Sequence, residues 1–166
     1  PSAFAGRGEV YRLRGETTRA MADFNRALEL NPDFSGALAS RGEVYRELGR
    51  FKKALADFSH AIALDKRLVE AHVGQGEIYG RMGEYKRAME AIEKAFELHP
   101  NHVGAYVGRG NIFRQMGDFE EALGEYNRAV RFSDQDTWIF FLRGETYREL
   151  GRFEKALADF DRAIAL

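Results

Sequence analysis

Apolar and small residues recur along this chain with two superposed spacings. Between Ala3 and Arg14, Phe4, Gly8 and Tyr11 stand at i, i+4 and i+7, which is one stripe of a helix. From Thr17 to Leu30 a second stripe follows through Ala20, Phe24, Ala27 and Leu28. Gly15, between the two, suits the left-handed cap that ends a helix, and Asn31-Pro32 closes the pair because proline blocks continuation. The pattern predicts a helical hairpin whose helices are each ~20 Å long. Gly8, Gly42, Gly76, Gly110 and Gly144 then repeat this register every 34 residues, and so do Gly15, Gly49, Gly83, Gly117 and Gly151. The two alanines do the same, at Ala20, Ala54, Ala88, Ala122, Ala156 and at Ala27, Ala61, Ala95, Ala129, Ala163. Such a period means one supersecondary unit stacked five times, each too small to bury its apolar face alone. The fold expected is all-α: a single solenoid over residues 1–166, with units at 1–34, 35–68, 69–102, 103–136 and 137–166.

Three aromatic slots recur in each unit. The first holds Phe4, Leu38, His72, Tyr106 and Phe140; the second Tyr11, Tyr45, Tyr79, Phe113 and Tyr147; the third Phe24, Phe58, Ile92, Tyr126 and Phe160. All three are expected in the core, with the glycine opposite admitting a close helix approach, so that a larger residue at Gly42 or Gly76 would wedge the hairpin apart. Arg7, Arg41, Arg109 and Arg143 occur in units that carry Asp23, Asp57, Glu125 and Asp159, whereas Gln75 occurs with Ala91. That covariation within the chain predicts an ion pair between the two helices of one unit.

The order aromatic, Gly8, Tyr11, Ala20, Phe24, Ala27, Pro32 at a 34-residue period resembles the tetratricopeptide repeat over the whole chain. The resemblance implies a right-handed superhelix of antiparallel helix pairs. The first helix of each pair would line a concave groove that binds a peptide or partner protein. The chain departs from that family in having Arg or Gln where leucine usually precedes the first glycine, and Lys66 and Asp134 where proline usually separates units. The third unit, with His72 in an aromatic slot, is the least regular. Units two and five are near duplicates: Arg41–Leu64 and Arg143–Leu166 differ only at Val44/Thr146, Lys52/Glu154, Ser59/Asp161 and His60/Arg162.

By that resemblance a stripe beside the buried one faces the groove. It reads Ala5, Glu9, Arg12; Ala39, Glu43, Arg46; Val73, Glu77, Gly80; Val107, Asn111, Arg114; Phe141, Glu145, Arg148. The stacked tracks are apolar, acidic and basic, either a solvated ladder of i,i+3 ion pairs or the lining of a peptide groove. Asn111 leaves Arg114 without an own-helix carboxylate, and Gly80 leaves Glu77 without an own-helix arginine. Glu77 and Arg114 could pair with each other; otherwise Asn111 and Arg114 offer an amide and a guanidinium to a peptide backbone or carboxylate. Trp138 and Phe141 would add aromatic anchors. The lysines with which chaperone-binding relatives clamp a carboxylate are replaced by Ala5, Ala39 and Val73, so an acidic chaperone tail is not the expected ligand.

Charge and composition narrow the function further. With 25 basic and 26 acidic residues the net charge is −1, and no basic footprint for nucleic acid or anionic lipid stands out. There are no cysteines, which removes thiol nucleophiles, disulfides and cysteine zinc sites. His99 and His102 share a turn without a neighbouring carboxylate, too few for a zinc site. Gly74-Gln-Gly76 and Gly108-Arg-Gly110 lie inside helices and lack the strand that a phosphate loop follows. No nucleophile, base and orienting group come together in sequence. The expectation is a non-catalytic protein without cofactor or metal. The longest apolar run, Trp138-Ile139-Phe140-Phe141-Leu142, is far short of the ~20 residues of a spanning helix, and no signal-peptide pattern opens the chain. The cytoplasm is the expected location.

Starting at Pro1 and ending at Leu166, the sequence reads as a piece of a longer protein. Leu157, Phe160 and Ile164 belong to a stripe that should receive a following helix, so head-to-tail contact between copies is expected. Two classes of function follow: an interaction scaffold binding a protein or peptide in its groove, or a structural array that stacks on itself. A regulatory arm of a larger protein is a third.

Overall fold

A computed structural model describes residues 1–166 as ten α-helices. They are α1 (Ser2–Leu13), α2 (Thr17–Leu30), α3 (Ser35–Glu47), α4 (Phe51–Leu64), α5 (Val69–Arg81), α6 (Tyr85–Leu98), α7 (Val103–Met116), α8 (Phe119–Phe132), α9 (Thr137–Glu149) and α10 (Phe153–Ala165). The chain divides into two compact units, Pro1–Ile78 and Tyr79–Leu166. The first holds the α1/α2 and α3/α4 hairpins and most of α5; the second holds the end of α5, α6, and the α7/α8 and α9/α10 hairpins.

Each hairpin turns on a glycine held at φ between 69° and 87°, a region that other residues enter only with strain. The turn satisfies two carbonyls that the ending helix leaves open. Gly15 N–H donates to the Arg12 carbonyl at 2.9 Å, and Glu16 N–H to that of Tyr11 at 2.8 Å. The links between hairpins need no proline. α4 stops at the same register as α2 although Lys66 replaces Pro32, because Asp65 accepts the N–H of Arg67 on its side chain, as Asn31 accepts that of Asp33.

Inside four of the hairpins a glycine is roofed by an aromatic ring of the second helix. A Cβ placed on Gly8 would stand 2.9 Å from the Phe24 ring, on Gly42 2.8 Å from Phe58, on Gly110 2.6 Å from Tyr126 and on Gly144 2.8 Å from Phe160. The wedge expected at Gly42 is therefore real even for alanine. The third aromatic slot is core: Phe24, Phe58, Ile92 and Tyr126 are fully buried. The second is not. Its residues are half-buried, with Arg19 lying over the ring of Tyr11, Lys53 over Tyr45, Arg87 over Tyr79 and Lys155 over Tyr147. Where the slot holds Phe113, the cation is replaced by Glu121. In the first slot Leu38 and Phe140 are buried while Phe4, His72 and Tyr106 are half-buried. The polar occupants reach back six residues: Tyr106 donates its hydroxyl to the Pro100 carbonyl, and His72 Nε2 lies 3.3 Å from that of Lys66.

One further core stripe lies outside the three slots. Val44, Ile78, Ile112 and Thr146, one residue before the second aromatic slot, are at most 1% exposed. Val44 packs with Ala20 and Phe24 of the preceding hairpin, and Ile78 with Ala54, Phe58 and Ala71. Thr146 fits an apolar position because its hydroxyl donates to the Leu142 carbonyl at 2.8 Å. In the second unit Tyr126, Ala129, Ile139 and Leu142 form the corresponding cluster.

The predicted ion pair ties the two helices of a hairpin together. Arg7 contacts Asp23 at 2.7 Å, Arg41 contacts Asp57 at 2.7 Å, Arg109 contacts Glu125 at 2.9 Å and Arg143 contacts Asp159 at 2.6 Å. The aspartate pairs are bidentate, and the hydrogen bonds from Arg7 hold the Asp23 carboxyl below the usual range. The same cation also reaches the preceding hairpin: Arg41 donates to Asn25 at 2.9 Å, and Arg143 to Asn127 at 2.8 Å. Gln75 keeps only this second bond, to Ser59 at 3.0 Å. Because Asp57 is nearly buried, removing Arg41 would strand a charge at a cost of ~3 kcal/mol.

Candidate functional site

In the first unit the stripe on α1, α3 and α5 is a closed charge ladder. Arg12 contacts Glu9 on its own helix at 2.7 Å and Glu47 on the next at 2.9 Å. Arg46 repeats this with Glu43 at 2.7 Å and Glu77 at 2.8 Å. Glu77 thus finds its arginine on α3, so the pairing with Arg114 weighed from sequence is not needed. Hydrogen bonding from Arg12 lowers the Glu9 pKa; burial raises that of Glu43, with Arg46 opposing and the charge of Glu77 adding to the rise. Beside the ladder lies a pocket of about 270 Å3 lined by Glu9, Arg12, Ser40, Glu43 and Glu70 over Phe58. Val73, placed on the apolar track, is buried and presents almost no surface.

The second unit breaks the ladder at Asn111. The hydroxyl of Tyr126 on α8 donates to Asn111 Oδ1 at 2.8 Å. Arg114 and Thr146 also face this hydroxyl, while burial pushes the Tyr126 phenol up to about 12. Arg114 therefore meets a neutral phenol where Arg12 and Arg46 meet carboxylates, and its buried Nε has no acceptor. Asn111 has a job inside the protein: its carbonyl serves Tyr126, and its amide nitrogen remains to donate. The sequence carried a trace of this. Asn111 is the one break in the acidic track and Tyr126 the one tyrosine in the third aromatic slot, and both fall in unit four; a buried tyrosine hydroxyl needs a partner.

On α9, Trp138 and Phe141 stack with ring centroids 5.0 Å apart, and Trp138 is 58% exposed. Phe141 leans on Phe160 of α10 at 6.1 Å. Asp136 caps the helix by accepting the N–H of Trp138, which fixes where the indole starts. Glu145 and Arg148 pair at 2.7 Å, and Arg148 stays half in solvent. Val107 is half-buried against the cluster around Tyr126. Of the turn histidines, His102 caps α7 by accepting the Ala105 N–H through Nδ1. No group of three or more His, Asp or Glu side chains is arranged to hold a metal ion, and no helix is long and apolar enough to cross a membrane.

The repeat register has counterparts elsewhere. Family models described as tetratricopeptide repeat match residues 1–34, 24–56, 73–137 and 138–166, and one described as TPR repeat matches 42–83. A search of curated proteins gives no match. Among solved structures, a thermophilic TPR protein of Thermus thermophilus is 22% identical over 99% of this chain and 90% of its own, with a TM-score of 0.91. A tetratricopeptide repeat protein from Parabacteroides merdae is 22% identical with a TM-score of 0.80; this chain is covered to 99% and spans 64% of that one. A chain of the APC/C hetero-tetramer Cut9–Hcn1 is 15% identical with a TM-score of 0.88, covering 98% of this chain and 32% of its own. With family models tiling the sequence from residue 1 to residue 166 and ten helices in the matching register, the chain belongs to the tetratricopeptide-repeat family.

Proposed function

We propose that this chain is a protein-interaction scaffold whose ligand stripe lies in the second unit, on α7 and α9, and takes an extended peptide. Arg114, supported by the Asn111 amide, binds a carboxylate or backbone carbonyl of the peptide, and the Trp138–Phe141 pair holds an apolar side chain. The observation that carries this is the contrast in pairing: Arg12 and Arg46 are each held by two carboxylates, whereas Arg114 faces only the Tyr126 hydroxyl and leaves Nε without an acceptor. A guanidinium free of carboxylates on α7, with the exposed Trp138 and Phe141 on α9, suits an extended acceptor-bearing ligand with an apolar anchor. The place of the similar chain in the Cut9–Hcn1 hetero-tetramer accords with a partner that is itself a protein.

Trp138, the single tryptophan, reports directly. Peptides selected from a random display library should shift its emission on binding. Measured by calorimetry, Arg114→Ala and Trp138→Ala should each weaken the selected peptides at least about tenfold, a loss of ~1.4 kcal/mol, while Arg12→Ala in the first unit leaves affinity unchanged. Equal affinity in all three variants would remove the reading.

A further inference from the structure

Every arginine of the first unit's ladder is bonded twice, but one carboxylate oxygen at the neighbouring pocket has no donor. Two junctions in the same register show why. Where α1 meets α3, Arg12 covers both oxygens of Glu9: Nε donates to Oε2 at 3.1 Å and Nη2 to Oε1 at 2.7 Å. The Ser40 hydroxyl adds a further bond to Glu9. Where α3 meets α5, Glu43 stands in the place of Glu9 and Gly74 in that of Ser40. Arg46 reaches only one oxygen of Glu43, with Nε at 2.9 Å and Nη2 at 2.7 Å, both on Oε2. Its remaining arm, Nη1, donates to Glu77 at 2.8 Å. Glycine at 74 supplies no hydroxyl and has no room for one. A Cβ there would stand 2.6 Å from the Phe58 ring and 2.9 Å from Glu43 Oε1. That ring packs with Ala71 and Ile78 of α5, so the packing of α4 on α5 takes the space of the missing donor. The carboxyl of Glu43 is accordingly raised by burial, where that of Glu9 is lowered by its bonds.

The cavity limits what can complete the set. At about 270 Å3 it lies just below the ~300 Å3 at which small-molecule pockets begin, which leaves room for one side chain and none for a large cofactor. Glu9, Glu43 and Glu70 line it against a single cation, Arg12, with the Ser40 hydroxyl beside them. Arg12 is itself engaged by Glu9 and Glu47. An entering donor is therefore favoured when it carries positive charge. A guanidinium binds best to both oxygens of one carboxylate, and on Glu9 and Glu43 an arginine of the chain already holds at least one. An ammonium is a compact charge whose three donors can turn to three separate acceptors.

We infer that this pocket is a second binding site, which takes a lysine side chain of a protein ligand. The ammonium donates to Glu43 Oε1, with the Glu70 carboxylate and the Ser40 hydroxyl as its further acceptors. The site lies wholly in the first unit and needs nothing of the Arg114 stripe.

Capped tripeptides with lysine, arginine or norleucine between two alanines test this, titrated into the isotope-labelled 166-residue chain at physiological salt. The lysine peptide should shift the amide resonances of Ser40 and Glu43, with a Kd on the order of millimolar. The arginine peptide should bind at least about threefold more weakly and the norleucine peptide at least about tenfold. Glu43→Gln keeps the shape of the wall and removes its charge, and should weaken the lysine peptide about tenfold. Glu47→Gln removes an equal charge from the ladder outside the cavity and should change affinity by less than about twofold, since salt screens it. Circular dichroism checks that each variant is folded. Should Glu43→Gln unfold, Glu70→Gln on the exposed first turn of α5 carries the same test, with a loss of at least about threefold. Absence of shifts at Ser40 and Glu43 up to about 50 mM peptide overturns the inference. So does a norleucine or arginine peptide that binds as tightly as the lysine one. Equal losses in Glu43→Gln and Glu47→Gln also overturn it, because the acidic field and not the pocket would then attract the peptide.

Discussion

The two compact units carry the same stripe with opposite outcomes. In the first, each arginine is held by two carboxylates, one on its own helix and one on the next, and the ladder is electrically closed. In the second, Asn111 stands in the acidic track, a tyrosine hydroxyl takes the asparagine, and Arg114 is left without an own-helix carboxylate. Both stripes rest on the same framework of glycine under aromatic and arginine against aspartate or glutamate. A repeat protein can therefore differentiate one unit while keeping the lock that folds it, since Tyr126 still roofs Gly110 and only adds a hydroxyl to the ring. The residue that departs from the chain's own pattern marks the place to look for a ligand.

The comparison assumes that the lock is shared and rigid. The largest effect is accordingly expected from breaking it. Gly110→Ala puts a methyl 2.6 Å from the Tyr126 ring and should cost ~2–3 kcal/mol in chemical denaturation. Gly124→Ala, in the same unit with nothing within 4 Å, should be neutral or stabilising by under ~1 kcal/mol. Equal effects would mean that the close approach carries no energy.

A smaller effect should follow from converting the second stripe into the first. Asn111→Glu combined with Tyr126→Phe gives Arg114 an own-helix carboxylate and removes the hydroxyl that now occupies the amide. Stability should change by under ~1 kcal/mol, while affinity for selected peptides falls at least about tenfold. Retained affinity would show that the free guanidinium is irrelevant to binding.

The smallest concerns the closed ladder. The Glu43 pKa is raised, chiefly by burial, so the folded state binds its proton more tightly than the unfolded one. Stability from this group falls as pH rises from the unfolded carboxylate value through the raised one. Glu43→Gln removes that loss, and its stability relative to wild type should be higher at neutral pH than below pH ~4. A pH-independent difference between the two proteins would show that Arg46 fully offsets the burial of Glu43.

Features repeated inside one hairpin were legible in the sequence. Five copies in phase revealed the helices, the turn glycines and the arginine–acid pair, because each copy tests the others. The helix from Thr17 to Leu30 even ends at the predicted residue. Features that arise between hairpins were harder to read. Val44 and Ile78 are core because a preceding helix covers them, whereas Val10, in the same register, is exposed. Burial there belongs to the neighbour and not to the residue. The tyrosines of the second slot misled for another reason: a cation lying over a half-buried ring has the same local sequence as a ring in the core. Asn111 stands out in the sequence as an anomaly, but its partner Tyr126 lies 15 residues away on the next helix, and only the fold joins them.

The near identity of Arg41–Leu64 and Arg143–Leu166 has a kinetic consequence. The side-chain bonds that join helices link residues no more than 35 positions apart, so little loop entropy stands between an unfolded chain and its first contacts. Folding can start in any hairpin and spread to the next. But α4 and α10 offer an incoming helix almost the same surface, and a chain still being assembled has no local signal to tell them apart. Closure in order along the chain, with earlier hairpins folded before later ones emerge, would keep the two in their proper places.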